Sequence, residues 1–313
     1  METEVVVGID VAKQTLEVDA GDQLHFTVAN HQEGIAQLIV RLQPLRPSLI
    51  VLEASGGYEK LAWLSLWEQG FMVARVNPRD TYHFAQANRQ LAKTDRLDAR
   101  GLRRFGEQLK PRPSAPLSAA GQELQELVRR RQQLVAMITA ETNRQQQAAS
   151  PAIRKSIGRI IRSLQREKDA IAQRIASELT QHHAQQVALL QSVPGVGPVT
   201  SAILIARLPE LGQLSAREAG ALVGVVPYTR QSGKWHGESH IFGGRADLRS
   251  ALYMAAHNAV LREGPLRDFY LRLRAAGKPH PLALTACIRK LVVILNAMVK
   301  HHTPWSPACQ ALA

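Results

Sequence analysis

The first 110 residues alternate strand and helix patterns in an order that few folds accommodate. Three strand patterns, EVVVGIDVA, TLEVDA and LHFTVAN, follow one another with short turns near Lys13 and Gly21. Strands joined so closely must be antiparallel neighbours, because a parallel connection needs a dozen or more residues. Asn30 is expected to cap a helix, and SLIVLE and FMVARV add two strands, each followed by helical sequence. The order β-β-β-α-β-α-β-α predicts a mixed sheet with helices on its faces.

The remainder of the chain is predicted to be mainly helical. KPRPSAPLSAAG is a proline-rich break, and the two long polar segments after it carry narrow apolar stripes, which predicts an antiparallel coiled-coil hairpin. The stripes comprise Leu124, Leu127, Val128, Leu134, Val135 and Ile138, then Ile157, Ile160, Ile161, Leu164, Ile171, Ile175 and Leu179. We expect three parts, residues 1–110, a linker and hairpin over 111–190, and a C-terminal domain over 191–313.

A glycine turn opens the predicted C-terminal domain. SVPGVGPVTSAILIARL has the pattern of a helix-hairpin-helix, in which amides at Gly195 and Gly197 would face a helix start. Such amides can hold a backbone phosphate without reading sequence. A plain tight turn is the structural alternative, and the recurrent pattern favours phosphate binding.

The excess positive charge of the chain lies after residue 110. Up to Lys110, 13 Lys and Arg residues stand against 14 Asp and Glu, whereas from Pro111 onward 26 stand against 12. Nucleic acid is the favoured partner of such a surface, with a merely solvated basic face as the alternative. Two cysteines without a CxxC pair exclude a disulfide framework and a cysteine-based zinc site. Without a signal peptide or an uninterrupted apolar run of 18 residues, we expect a cytoplasmic protein that binds no membrane.

Four acidic residues occupy positions where a carboxylate needs an explanation. Asp10 and Glu53 stand near the ends of strands expected to be central, where a buried carboxylate is costly unless it is paired. Asp95 and Asp98, three residues apart, share one helix face. Turn formation by Asp10, or helix capping by Glu53, Thr94 or Asp95, is the structural alternative. In RNase H-like nucleases and resolvases, strand 1, strand 4 and a late helix supply such oxygen ligands to Mg²⁺ or Mn²⁺.

An ordered set of motifs extends this pattern along nearly the whole chain. GIDVAK, VLEASGGY, KTDRLDAR, PGVGPVTSA, RQSG and GGRADLRSALYMAA follow in that order. The set resembles the DEDD transposases of bacterial insertion sequences, the group that includes the Piv-type DNA invertases. The resemblance implies a RuvC-like domain whose catalytic, metal-binding acids are matched by Asp10, Glu53, Asp95 and Asp98. It also implies a nucleophilic serine, and Ser232 in RQSG is the matching position.

The resemblance further implies a biochemical activity and its partners. The chain would be a transposase or site-specific recombinase that cuts and rejoins DNA through a phosphoserine intermediate, assisted by Mg²⁺ or Mn²⁺. Its partners would be donor and target DNA and a bridge RNA, encoded beside the gene, that pairs with both. A homo-oligomer, dimer or tetramer, would combine the serine and the acids of one site from different subunits. In a bacterium it would act at the nucleoid.

Several alternatives stay open at this point. A RuvC-like hydrolytic nuclease or junction resolvase would use the same acids to activate water, and a noncatalytic nucleic-acid-binding scaffold would not need them. A DNA invertase of the same family is not distinguished from a transposase. Ser239 and Ser250 are rivals for the nucleophile, while His236 and His240 are interpreted as surface or structural groups. The expected nucleic-acid contacts are Gly195, Gly197, Arg96, Arg100, Arg230, Lys234 and Arg245.

Overall fold

The chain divides into two compact units, Met1–Pro116 and Leu117–Ala313. The computed structural model describes residues 4–21, 24–89, 94–229, 231–233, 235–237 and 239–306, and of residues 235 and 236 the backbone alone. The division falls inside the proline-rich break. The three-part division stays a prediction, since the helical hairpin and the helices after it share one hydrophobic core in the second unit.

The first unit is built on a five-stranded mixed sheet. Its strands are β1 (Val6–Val11), β2 (Thr15–Asp19), β3 (His25–Ala29), β4 (Leu49–Glu53) and β5 (Val73–Val76). Their order across the sheet is β3-β2-β1-β4-β5. The first three are antiparallel neighbours, and β4 and β5 are parallel to β1. This order and these directions define the RNase H-like fold, so the fold predicted for this part is confirmed.

Helices cover both faces of the sheet. They are α1 (Gln32–Leu42), α2 (Lys60–Glu68), α3 (Pro78–Ala87) and α4 (Asp95–Leu109), with a short 3₁₀ turn at Gln43–Leu45. One core includes Val7, Ile9, Ile35, Leu38 and Leu66, where α1 and α2 pack on the sheet. A second core includes Val6, Val51, Ala74, Leu102 and Phe105, where α4 covers the opposite face. The sheet is therefore the middle layer of three, as its alternating side chains require.

The predicted cap of α1 was wrong by one residue. His31 is the N-cap, and its Nδ1 accepts a hydrogen bond from Gly34 N at 3.3 Å. The Asn30 side chain instead donates to the carbonyls of Ala12 and Tyr58, at 2.9 and 3.0 Å. Asn30 thus connects two loops through its amide donors, whereas an N-cap side chain accepts a hydrogen bond from a helix amide.

The second unit begins with the predicted helical hairpin, formed by α5 (Ala119–Gln147) and α6 (Pro151–His182). The helices are antiparallel: Gln145 contacts Arg154 beside the turn, and Glu123 pairs with Arg174 at the opposite end. Eight predicted seam residues are buried, namely Leu124, Leu127, Val128, Leu134, Ile161, Ile171, Ile175 and Leu179. Two others were predicted wrongly, since Val135 and Ile160 are 41% and 48% exposed. Among residues 135–160, the part of the hairpin nearest the turn, Gly158 alone is buried, so this part covers less apolar surface than its sequence supplies.

The rest of the second unit is mainly helical. It comprises α7 (Ala184–Gln191), α8 (Pro198–Arg207), α9 (Ala216–Val223), α10 (Ala246–Val260), α11 (Pro265–Ala275) and α12 (His280–His301). Two-residue strands β6 (Pro227–Tyr228), β7 (Gln231–Ser232), β8 (Trp235–His236) and β9 (His240–Ile241) lie between α9 and α10. Helices α7 and α8, joined by a turn with Gly195 at φ +94°, form the predicted helix-hairpin-helix.

Helix α12 is the one described helix that is long and apolar enough to cross a membrane, with a mean hydropathy of 1.9 over its 18-residue window. The sequence offered no uninterrupted apolar run because Arg289 and Lys290 fall inside it. Ten of its residues are buried in the core of the second unit. Among them Asn296 accepts from Gly212 N at 2.8 Å and donates to Leu214 O at 2.7 Å. Packing around a satisfied polar group is typical of a core helix.

Candidate active site

Two glycines fix how α4 lies on the sheet. A Cβ at Gly8 would stand 2.1 Å from Ala99 O and 2.4 Å from Arg103 N, so the helix backbone touches β1 there. A Cβ on Gly106 would meet the side chains of Val6 and Val51, each at 2.7 Å. Residue numbers therefore rise along α4 as they fall along β1. The amino end of α4 lies over the carboxyl end of β1.

This register of α4 on β1 places Asp95 and Asp98 near Asp10 and Glu53. Asp10 follows Gly8 by two residues on the same face, about 7 Å along the strand. Asp95 precedes Ala99 by four residues, about 6 Å along the helix. Glu53 ends β4, the parallel neighbour of β1, with Ile9 beside Leu52 in the register. Strand and helix geometry thus brings the predicted acids to one end of one sheet face.

The negative charges of the other three acids act on the carboxyl of Asp10. The pKa of Asp10 is raised from 3.8 to about 6. Burial is the largest cause, followed by the negative charges of Asp98, Asp95 and Glu53, while a hydrogen bond from the Val11 backbone acts in the opposite direction. A strand-end turn residue would have none of these like-charged neighbours, so the turn interpretation of Asp10 does not account for this site.

Helix capping explains the positions of some of these acids but not of others. Thr94 is the N-cap of α4, and its side chain accepts from Leu97 N at 3.3 Å. Asp95 and Asp98 occupy the first turn, where their charge also favours the helix dipole. Glu53 does not cap α2; its Oε1 accepts a hydrogen bond from the hydroxyl of Thr81 on α3. Capping therefore leaves both the Asp95 and the Glu53 carboxylates available for another role.

Two functional neighbours were missed from the sequence. Thr81 is 8% exposed and holds Glu53 in place. Glu59, 3% exposed, accepts from the amides of Ser55 and Gly57 at 3.1 and 2.8 Å and so fixes the loop after β4. The paired glycines of SGGYE signalled a loop that would need such support, whereas nothing in the sequence signals Thr81.

The donor set fits a hard divalent cation. Four carboxylates are the oxygen ligands that Mg²⁺ and Mn²⁺ prefer, and a cation would relieve the repulsion that raises the pKa of Asp10. Within the described ranges, no three Asp, Glu, His or Cys side chains stand close enough to hold an ion in their present positions. Binding would therefore need side-chain rotation, which suits the exposed Asp95 and the half-exposed Asp98.

Ser232 lies in the second unit, on an exposed β-hairpin. β6 pairs with β9 and β7 with β8, and Ser232 faces Trp235 in the register beside the turn at Gly233. Gly233 has φ +55°, which glycine adopts without strain. Of the rival serines, Ser250 donates to Ala246 O at 3.0 Å within α10, so its hydroxyl is occupied by the helix backbone. Ser239 is exposed and makes a weak 3.5 Å contact with Thr229.

The seven expected nucleic-acid contacts have different surroundings in the structure. Arg96 and Arg100 are exposed on α4, while Arg230 and Lys234 lie outside the described residues. Gly197 is the N-cap of α8, where no side chain caps the helix amides.

Gly195 and Arg245 have structural contacts that the sequence did not indicate. A Cβ on Gly195 would stand 2.4 Å from Ala255 O, so this glycine also serves packing against α10. Arg245 donates to both carboxylate oxygens of Glu210, at 2.9 and 2.6 Å, and to Arg207 O at 2.6 Å. These protein groups engage its guanidinium, while the side chain stays 32% exposed, so a contact between Arg245 and a phosphate stays a prediction.

The sheet order and the shared acidic face define a RuvC-like phosphoryl-transfer domain, joined to a second, helical unit. Two family models match the chain: the DEDD transposase domain of IS110 type over residues 7–150, and "Transposase IS116/IS110/IS902 family" over residues 187–271. Together they span most of both units. The chain belongs to the IS110/IS116/IS902 family of transposases, enzymes that cleave and rejoin DNA.

The chain is similar to several known proteins. A pilin gene-inverting protein of Moraxella bovis is 28% identical over 97% of this chain and 98% of its own length. An insertion element IS116 protein of Streptomyces clavuligerus is 36% identical over 38% of this chain and 31% of its length. A solved RuvC structure from Thermus thermophilus is 15% identical, with a TM-score of 0.25, over 35% of this chain and 98% of that chain. The fold assignment rests on the strand order and not on that last similarity.

Proposed function

We propose that this transposase cuts and rejoins DNA through a covalent phosphoserine intermediate formed by Ser232, with Mg²⁺ or Mn²⁺ held by the four acids. The observation that supports a metal at the four acids is the placement of Asp10 beside the other three, which with burial raises its pKa to about 6, whereas the choice of Ser232 follows from the family resemblance. Four like charges gathered at one end of a sheet are destabilising without a cation, and such clusters are typical of catalytic sites.

The serine supplies the nucleophile. The Ser232 Oγ would attack a backbone phosphorus, forming a P–O bond to serine while the bond to one deoxyribose oxygen breaks. The serine proton leaves to a base, and the released deoxyribose oxygen takes up a proton. Attack of a second strand's hydroxyl on the phosphoserine reverses these steps and regenerates Ser232. The number of phosphoester bonds is conserved throughout, so no high-energy cofactor is needed.

The acids supply the electrostatics. Asp10, Glu53, Asp95 and Asp98 would hold the divalent ion, which when bound polarises the phosphate and favours ionisation of the attacking hydroxyl. Thr81 would keep the Glu53 carboxylate oriented through its hydrogen bond. A hydroxyl needs such activation because its ordinary pKa makes it a poor nucleophile at neutral pH.

The partners proposed are donor DNA, target DNA and a bridge RNA that pairs with both. We further propose a dimer or tetramer in which the acids of one subunit serve the serine of another, acting at the bacterial nucleoid in the cytoplasm. Sequencing the RNA that co-purifies with the protein tests the RNA guide. A structured RNA that matches DNA beside the gene is expected, and absence of such an RNA would favour direct readout by protein.

Trapping the covalent adduct tests the serine chemistry. Wild-type protein is incubated with end-labelled donor and target DNA and Mg²⁺, then resolved on a denaturing gel. We expect a protein–DNA adduct that Ser232→Ala abolishes and EDTA prevents. Ser239→Ala, an exposed serine of the same hairpin, is the matched control and should retain the adduct.

The same gel separates the alternatives. Cleavage by Ser232→Ala without an adduct would instead establish a hydrolytic nuclease. Unchanged recombination by Asp10→Ala would establish a noncatalytic role for the acids. Products from a plasmid with two sites distinguish inversion from transposition; the pilin gene-inverting relative makes inversion the alternative to test.

A further inference from the structure

Charge is distributed unevenly along the α5–α6 hairpin. We call residues 132–166, on both sides of the turn, the tip half, and residues 119–131 with 167–182 the base half. The tip half holds six Lys and Arg residues and one Asp or Glu, whereas the base half holds five of each. All the excess positive charge of the hairpin therefore lies in its tip half.

Four of the tip-half cations form a straight line on α6. Lys155, Arg159, Arg162 and Arg166 are spaced by four, three and four residues, which places them on one helix face. We call these four residues the basic stripe. All four are exposed, while the α6 residues that pack against α5, such as Ile161, lie on another face. The stripe extends for about 16 Å, at 1.5 Å per residue.

Among the described residues of the second unit, no ion pair neutralises the basic stripe. The ion pairs of the hairpin include those of Arg144 with Glu141, Arg174 with Glu123, Lys168 with Asp169 and His182 with Glu178. Among the residues that the structure describes, none of these pairs includes a member of the stripe. The first sixteen residues of α6, 151–166, contain no acidic residue. A solvated helix face ordinarily mixes both signs, so an unmixed line of cations needs a polyanionic partner to explain it.

We propose that the basic stripe binds the sugar-phosphate backbone of duplex DNA. Charge complementarity supports this occupant, because a duplex carries one negative charge per about 1.7 Å of axis and so exceeds the charge of the stripe over its 16 Å length. DNA is chosen because the family acts on DNA. The proposal rests on DNA as the substrate in the proposed function, but not on its serine chemistry. Such contacts position the duplex without reading its sequence.

Salt dependence of binding tests the stripe. Binding of a labelled 30-base-pair duplex is measured by fluorescence anisotropy in EDTA, at several salt concentrations, for wild type and for Arg159→Gln/Arg162→Gln. We expect weaker binding and a slope of log K against log salt that is smaller by about 1.8, or 0.9 per lost phosphate contact. Glutamine has nearly the helix propensity of arginine, so the exposed helix should remain folded.

The matched control removes the same charge from the base half. Arg129→Gln/Arg130→Gln replaces two exposed arginines of α5 and should leave the salt slope within about 0.5 of wild type. Equal slopes for the two double variants would overturn the proposal. So would a loss confined to a matching RNA duplex, or a changed oligomeric mass with an unchanged slope, which would indicate an RNA or subunit contact instead.

Different results would contradict the stripe proposal and the serine mechanism. EDTA prevents the phosphoryl transfer that the covalent adduct reports, so the salt slope measures binding alone. If the stripe variant has an unchanged salt slope and the Ser232 adduct forms normally, the proposal for the basic stripe is wrong and the serine mechanism is supported. A reduced slope with no adduct would do the reverse.

Discussion

Replacing Asp10 by asparagine is expected to stabilise the metal-free protein at neutral pH. Burial and the charges of Asp98, Asp95 and Glu53 raise the pKa of Asp10 from 3.8 to about 6. At pH 7.5 the side chain is therefore ionised in a position that favours its protonated form. Asparagine has nearly the same shape and carries no charge, so it removes both the cost of burying the charge and the repulsion.

The magnitude follows from the size of the pKa shift. Roughly two pKa units correspond to about 3 kcal/mol at 1.36 kcal/mol per unit, which is an upper limit. Asp10 is only part-buried and water screens its charge, so about 1–2 kcal/mol is expected. Because the folded pKa lies above the unfolded one, the contribution of Asp10 to wild-type stability falls as pH rises from about 4 to about 6 and then levels off. Asp10→Asn should not show this decrease in stability with rising pH, and its stability should match that of wild type below pH 4.

Thermal unfolding in EDTA between pH 4 and pH 8 provides the assay. Tryptophan fluorescence follows both units, because Trp63 and Trp67 lie in the first and Trp235 and Trp305 in the second. All proteins therefore carry Trp235→Phe/Trp305→Phe, so that the signal reports the first unit. At pH 7.5 the variant should unfold roughly 5–10 °C higher, at 4–8 °C per kcal/mol for a unit of this size. Adding Mg²⁺ should reduce the difference in unfolding temperature between variant and wild type, because the ion stabilises the wild-type carboxylates.

The control is Asp80→Asn, which removes an exposed aspartate from the first turn of α3 and should give no gain. The reasoning would be refuted if Asp10→Asn were no more stable than wild type at pH 7.5.

Two further substitutions test how the site is held. Gly8→Ala should destabilise the first unit by about 3 kcal/mol in urea unfolding, because its Cβ would meet the backbone of Ala99 and Arg103 and force α4 away; full stability would contradict this contact. Thr81→Val should weaken Mn²⁺ binding about tenfold by calorimetry, while Thr81→Ser restores it, because a hydroxyl orients the Glu53 carboxylate; equal affinity in both variants would refute that role.

The first unit was predictable because its local patterns are strong and mutually consistent. Short connections forced β1, β2 and β3 to be antiparallel, and the apolar strands SLIVLE and FMVARV could lie only inside a covered sheet. The acids were conspicuous for the same reason, since Asp10 and Glu53 interrupt strongly apolar strands. The prediction that they lie near Asp95 and Asp98 came from the family resemblance. Helical spacing shows that this pair shares one helix face, but it does not show what that face packs against.

The features that the sequence did not reveal depend on tertiary neighbours. Val135 and Ile160 fit an apolar seam by spacing, yet their exposure depends on how many helices surround the hairpin turn. Arg245 resembled any other basic residue of a glycine-rich loop until Glu210, distant in sequence, was found beside it. Thr81 gave no signal because a hydroxyl on a polar helix is common. Pairings between distant segments are the information that one sequence does not contain.

The acids of this site are placed by residues that take no part in chemistry. Gly8 and Gly106 set the height of α4 on the sheet, since each lets a neighbour approach closer than a Cβ would permit. Arg103 fixes the rotation of the helix: its Nε donates to the largely buried carboxylate of Asp19 at 2.6 Å. That ion pair and the apolar contacts of α4 stabilise the arrangement against the repulsion felt by Asp10. Without these contacts between α4 and the sheet, repulsion would separate the four like charges, and the candidate metal site would be lost.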